Sequence, residues 1–173
     1  MSYIPSPDKC IELLKIVGCS KKVINHCIAV KDIAIKIAKK TDANIELVEA
    51  GSLLHDIGRS KTHGIQHAIE GVKIGKKLNL DESILKIIER HIGAGILSND
   101  AKKLGLPFKD YMPESLEEKI VCHADNLVSG SKRQPIEVEI EKALTKGLKE
   151  YAIRMVNLHI ELSEICGIDL NKI

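Results

Sequence analysis

Apolar side chains between Ser20 and Ala38 fall at Val23, Val30, Ile33 and Ile37, and the gap in that series is filled by His26. Steps of three and four residues put all five on one face of a helix. A histidine is thereby committed to the side that meets protein rather than water. The same period runs through every long segment, and no stretch shows the strict alternation of a half-buried strand. The sequence predicts an all-α fold, a compact helical bundle.

Helix punctuation refines this. Ser6-Pro7-Asp8 gives an N-cap followed by proline at the first helical position, opening a helix to about Val17. Ser20 caps the second helix. A third is expected from about Ile45 to Ile57, with Gly58 as its stop. A connecting loop over 59–65 leads to a fourth helix from about Gln66 to Leu78. Asp81 caps a fifth, whose stripe Ile84, Ile87 and Ile88 leads to His91 before Gly93 and Gly95 end it. A polar loop with Pro107 and Pro113 precedes a helix from Glu114 to about Val128. After the loop Ser129–Pro135, the C-terminus reads as one long helix or two broken at Gly147. Its stripe (Ile140, Leu144, Leu148, Met155, Leu158, Leu162) offers a face for a homodimer. No repeat, low-complexity tract or linker interrupts residues 1–173, so a single domain is expected.

Composition narrows the function classes. A chain of 173 residues can bury roughly 70% of its unfolded surface in one core. Aromatics are only 2%, so that core is aliphatic, and aromatic stacking platforms for single-stranded nucleic acid are disfavoured. The net charge of +2 is spread over interleaved acids and bases, which gives no signal for a nucleic-acid or membrane partner. The five cysteines have no CxxC spacing and read as free, mostly buried thiols of a reducing compartment. With no apolar signal core and no long uncharged apolar run, the expected location is cytoplasmic.

The run Gly51-Ser-Leu-Leu-His-Asp-Ile-Gly-Arg59 sets His55 and Asp56 side by side in an apolar, buried context. Burying a carboxylate costs several kcal/mol unless something compensates, and a bound cation does so. Further candidate ligands lie at His26, His67, His91 and Asp125, each expected on a helix facing the interior. Imidazole with carboxylate suits divalent transition metals (Fe or Mn favoured, then Ni, Co or Zn) better than Ca or Mg. His63 lies four residues before His67, but Gly64 between them argues for a loop position. His123 falls on a different helical face from Asp125 and reads as structural. His159 reads as ordinary core or surface, and the lysine pairs as solvated faces.

Taken in order, His26, His55-Asp56 and Asp125 resemble the H…HD…D signature of the HD-domain metal-dependent phosphohydrolases. His55-Asp-Ile-Gly-Arg59 is similar to that family's HDIG motif, and the resemblance covers about residues 20–133. It implies a five-helix all-α core, here with added N- and C-terminal helices. It also implies one metal held by His26, His55, Asp56 and Asp125. Some members add two histidines that hold a second metal bridged by the HD aspartate. His67-Ala-Ile-Glu-Gly71 and Arg90-His91-Ile-Gly-Ala-Gly95 resemble those elements. The layout, including Leu116-Glu-Glu-Lys-Ile-Val-Cys-His-Ala-Asp125, is most similar to the dinuclear bacterial HD diadenosine-tetraphosphate hydrolases. The ligand complement is also that of HD-GYP phosphodiesterases, without their GYP segment. Asp125-Asn-Leu-Val-Ser-Gly departs from the bacterial hydrolases' usual run, so their substrate is not carried over.

Two ions about 3.5–4 Å apart can share a hydroxide, because the pKa of bound water falls from 15.7 toward about 7. That hydroxide would attack phosphorus in line while cations neutralise the non-bridging oxygens. Arg59 is the expected phosphate clamp. Lys61, Lys132 and Arg133 are further substrate-binding candidates in loops beyond ligand-bearing helices. His63 is placed to contact phosphate or give a proton to the leaving oxygen. Catalytic roles are thus expected for Asp56, Arg59 and His63. The expected activity is a two-metal hydrolysis of a phosphomonoester or phosphodiester of a nucleotide or nucleotide-derived substrate. The alternatives are a mononuclear nucleotide phosphatase, with His67 and His91 binding substrate, and a non-catalytic metal- or nucleotide-binding regulatory module.

Overall fold

The computed structural model describes residues 3–173. Among them nine α-helices run in chain order: α1 (Pro7–Ile16), α2 (Lys21–Ala38), α3 (Ile45–Leu54), α4 (His67–Lys77), α5 (Glu82–Arg90), α6 (Ser98–Lys103), α7 (Leu116–Asn126), α8 (Ile136–Thr145) and α9 (Lys149–Cys166). A two-residue antiparallel pair, β1 (Val128–Ser129) with β2 (Lys132–Arg133), is all the sheet the described residues hold. None of these helices is long and apolar enough to cross a membrane.

Local chemistry accounts for the helix starts. Ser6, Ser20, Asn44, Asp81 and Ser115 each accept a hydrogen bond from a backbone N–H of the first turn. Each such cap stabilises its helix by about 1 kcal/mol. Packing does the rest. The stripe on α2 buries Val23, Val30, Ile33 and Ile37, worth roughly 1.5–3 kcal/mol per large aliphatic side chain.

The central element is α3, which packs against α1, α2, α5 and α7. Such a helix has little solvent face to spare, and it buries Leu47, Val48 and every residue from Ala50 to Leu54. Gly51 permits the approach of α5: a Cβ there would lie 2.5 Å from Cδ1 of Ile87. The end of α3 therefore emerges at the centre of the molecule, and it delivers His55 and Asp56 there.

Several sequence expectations change. The third helix stops at Leu54 rather than Ile57, and residues Ile57–Ser60 form a 3-10 turn. Gly58 is not a left-handed stop. Its role is close approach, since a Cβ there would land on the carbonyl oxygen of His67 and 2.6 Å from the amide of Gly71. The polar loop after Gly95 contains α6, a six-residue helix too short to show a period. Its neighbours Ile96, Leu106 and Tyr111 form a small second cluster with Ala101. The C-terminal segment is two helices, broken at Gly147 with φ of +74°. Of its stripe, Met155, Leu158 and Leu162 are buried, while Leu144 and Leu148 stay about half exposed.

Candidate metal centre

Five elements bring the six predicted ligands together. His26 comes from the second turn of α2, and His55 caps α3 with Asp56 next to it. His67 opens α4, His91 caps α5, and Asp125 lies near the end of α7. His55, Asp56, His67 and His91 are buried, whereas His26 and Asp125 are half-buried at the rim. The Nε2 atoms of His26 and His55 and one Asp125 oxygen lie within 4.8 Å of one another, as do ligand atoms of His55, Asp56 and His91.

The histidine rings are held in one sense. Nδ1 of His26 donates to the carbonyl of Gly130 at 2.7 Å, and that of His55 to Ser52 at 2.6 Å. Nδ1 of His67 donates to Gly64 at 2.8 Å and that of His91 to Ile88 at 2.8 Å. A carbonyl only accepts, so Nδ1 carries the proton and Nε2 is the atom left to bind at the centre. Metal-ligating histidines are fixed in this way.

The interior spacing fits cations. Asp56 Oδ2 faces His26 at 3.8 Å and His55 at 3.7 Å, while its Oδ1 faces His67 at 3.2 Å and His91 at 3.4 Å. Asp125 Oδ1 lies 2.9 Å from His26 Nε2 and 3.6 Å from His55 Nε2. The two Nε2 atoms of His67 and His91 are 3.0 Å apart, the separation expected for two nitrogens about 2.1 Å from one ion at right angles. His55 Nε2 and Asp56 Oδ1 are buried without a hydrogen-bond partner. Polar atoms orphaned at a buried point accord with a place for a water or an ion, and the donor set of four imidazoles and two carboxylates suits a divalent transition metal.

Electrostatics follow from the same contacts. Burial opposes a charge on His55, but Asp56 and Asp125 outweigh it and push its pKa up to about 9. Burial also opposes ionisation of Asp56, yet His55, His67 and His91 hold its carboxyl well below the usual range. Asp125 is lowered likewise, by His26 and His55 against its burial. Burial keeps His91 below its ordinary value.

A cavity of about 270 Å³ opens onto this centre, lined by His26, Asp56, Arg59, His63, Lys22 and Gly130 among others. Arg59 donates from Nε to Asp56 Oδ2 at 2.6 Å and from Nη1 to the His63 carbonyl at 3.2 Å. Arg59 and His63 therefore stand at the mouth of this cavity. Lys61 and Lys132 are exposed and do not line this cavity. Arg133 is turned elsewhere: its guanidinium donates to the carbonyls of Leu170, Asn171 and Ile173. That is a structural use, and it removes Arg133 from the substrate candidates. Sequence reasoning missed Lys22, an ordinary surface lysine by pattern, and the Gly130 carbonyl, which no side-chain pattern announces. His123 and His159 form a separate pair, Nε2 to Nδ1 at 3.0 Å.

Comparisons with known proteins bear on these residues. Residues 23–130 match the family model described as HD domain. The chain is 49% identical over all 173 residues to a tRNA (cytidine(56)-2'-O)-methyltransferase of Picrophilus torridus, of which it covers 51%. It thus spans about half the length of the methyltransferase relatives it matches. It is 50% identical over 140 residues to an uncharacterized protein of Methanocaldococcus jannaschii, covering 78% of this chain and 82% of that one. The crystal structure of the HD domain of the L. monocytogenes phosphodiesterase PgpH, in complex with cyclic-di-AMP, shares the fold. Its TM-score is 0.59 at 20% identity, over 89% of this chain and 96% of the other.

Proposed function

The chain belongs to the HD domain family, and from that premise we propose that it is a metal-dependent hydrolase of a phosphate ester in a nucleotide or nucleotide-derived substrate. The observation that carries this reading is the Asp56 carboxylate, with one oxygen toward His26 and His55 and the other toward His67 and His91. A carboxylate shared in this way suits two ions, with Fe or Mn favoured. His26, His55 and Asp125 would complete one and His67 and His91 the other. When bound, such ions neutralise phosphoryl oxygens and lower the pKa of bound water toward about 7.

The chain's own side chains do the rest. Asp56 and the His63 carbonyl hold Arg59 at the mouth, and Nη2 of that guanidinium fork is left to take phosphate oxygens. His63, exposed beside it, can give a proton to the leaving oxygen. Lys22 adds a second cation at the same opening. Lys61 and Lys132 remain outer candidates for a longer substrate. Residues 1–173 are read as one such domain, because α8 and α9 pack on each other and α9 packs on α7. Five free thiols accord with a reducing, cytoplasmic setting.

A phosphodiester is the favoured bond, in keeping with the phosphodiesterase activity and cyclic-di-AMP ligand named for the PgpH HD domain. The 49% identical relative favours a second reading, a module that serves tRNA 2'-O-methylation. Methyl transfer to a ribose hydroxyl has no need of four imidazoles and two carboxylates around one point, so hydrolysis accounts for more of the residues. Anaerobic reconstitution with Mn(II) or Fe(II), metal analysis and a panel of bis(p-nitrophenyl) phosphate, cyclic nucleotides and short RNA test the proposal. Close to two ions and turnover of a phosphodiester are expected. One ion with phosphomonoester turnover supports the mononuclear reading, and no hydrolysis of any member overturns the proposal.

A further inference from the structure

A second cavity, of about 580 Å³, lies between Ile65, Ile92 and α6 on one side and α8 and α9 on the other. That volume is within the range of small-molecule sites. Half its wall comes from residues beyond 130, outside the family match. None of the six candidate ligands lines it, and chain neighbours of those ligands link it to the metal centre. Ile92 follows the ligand His91, and a Cβ on Gly93 would coincide with the Tyr151 hydroxyl. The positive φ of Gly93, +62°, and its missing side chain thus give Tyr151 its seat. That hydroxyl has no hydrogen-bond partner among the described residues, and burial, with Cys122 and Asp125 adding to it, pushes its pKa up.

The polar groups around the cavity favour an anionic, partly flat ligand. Lys142 is paired with Glu139 at 2.7 Å and Lys103 with Asp100 at 3.4 Å. Lys146 and Arg154 have no carboxylate partner among the described residues. Arg154 reaches only the Gly95 carbonyl at 3.4 Å and the Tyr151 ring at 5.7 Å, and its Nε is buried without a partner. Apolar walls with two unmatched cations suit a nucleobase and its ribose phosphate.

We propose that this groove between α6 and the α8–α9 pair is the subsite for the base and ribose of a nucleotide whose scissile phosphate is taken at the histidine–aspartate centre. Placing the scissile phosphate at that centre rests on the hydrolase reading, whereas binding of base and ribose in the groove does not. Tyr151 and Arg154 are its specificity residues, the hydroxyl and guanidinium meeting base or ribose while Ile92 and Leu148 cover the base.

Methyl-resolved NMR of the full chain labelled at isoleucine δ-methyls tests this with 5'-AMP and 2',3'-cyclic AMP as probes and inorganic phosphate as control. The nucleotides should shift Ile65, Ile92 and Ile96, and phosphate alone should not. Arg154→Gln and Tyr151→Phe should each weaken nucleotide binding about tenfold and raise KM for a nucleotide substrate, with metal content unchanged. Lys146→Glu, on the exposed surface, gives the same reading if Arg154→Gln does not fold. Nucleotide shifts confined to other isoleucines, or binding unaffected by all three changes, overturn the subsite. Turnover of bis(p-nitrophenyl) phosphate by the unmodified protein separates the two ideas. Turnover without groove shifts refutes the subsite alone, and groove shifts without turnover refute the hydrolase reading alone.

Discussion

Gly58→Ala isolates the contact that holds the two halves of the centre together. The 3-10 turn carrying Gly58 lies directly on the first turn of α4, and the neighbours of an added methyl are backbone atoms with no rotamer to escape into. To bring the Gly71 amide from 2.6 Å out to the 3.0 Å floor of real contacts, α4 must retreat by at least about 0.4 Å, and the His67 carbonyl by more. His67 moves with its backbone, away from Asp56 Oδ1, now 3.2 Å from its Nε2. Metal–ligand distances tolerate only about ±0.2 Å, so an ion taken by His67 and His91 should bind about 10–100-fold more weakly. Overpacking of this kind costs about 1–3 kcal/mol, and each kcal/mol lowers Tm by about 2–4 °C for a chain of this size. Metal analysis after dialysis against a weak chelator, with calorimetric melting, reads both effects. Gly64→Ala is the control, since its methyl would meet nothing nearer than Thr62 Oγ1 at 3.7 Å. A Gly58→Ala protein that keeps two ions and melts within a degree of the parent would refute the argument.

Asp56→Ala should lose both ions and all hydrolysis together, whereas Asp125→Ala should retain about one ion; equal loss in the two variants would contradict a shared carboxylate. Arg59→Ala should keep its metal while kcat/KM falls about 10–100-fold, the worth of one charge-assisted contact of about 1.5–3 kcal/mol, and parallel metal loss would reassign Arg59 to holding Asp56. In the metal-free chain His55 keeps its proton up to about pH 9. An entering cation must displace that proton, so affinity should fall as pH drops from 9 toward 6, with about one proton released in calorimetry across buffers; pH-independent affinity would refute this. Iodoacetamide at pH 8 should label half-buried Cys166 first, because burial pushes the Cys10 thiol up to about 12 and, with help from Asp56, the Cys19 thiol up to about 11. Mass spectrometry showing rapid labelling of Cys10 or Cys27 in the folded chain would contradict their burial.

What was legible in the sequence is what period and side-chain type encode. Serine and aspartate caps marked the starts of α1, α2 and α5, and the position of His26 within an apolar stripe already implied an inward-facing imidazole. The six candidate ligands converge because His26, His67 and Asp125 sit on packed helices, His55 and His91 cap two more, and Asp56 follows His55. Tertiary effects were not legible. Gly58 looked like a helix stop, since a glycine after an apolar turn has that meaning locally; only the proximity of α4 reveals the steric reason for it. Arg133 looked available because its partners are main-chain carbonyls some forty residues away, which carry no side-chain signature. The half-exposure of Leu144 and Leu148 follows from the turn at Gly147, which takes them off the face that Met155 and Leu162 present to α7 and the core.

His26 and Asp125 touch across 99 residues of chain, and His55, His67 and His91 divide that interval. Two ions sharing Asp56 and gripping these residues between them would act as cross-links closing nested loops. By the measure used for disulfides, tying off a loop of about 100 residues removes about 4.7 kcal/mol of unfolded-state freedom. Cellular metal supply would then govern how long this chain survives heat and proteolysis as well as how fast it works.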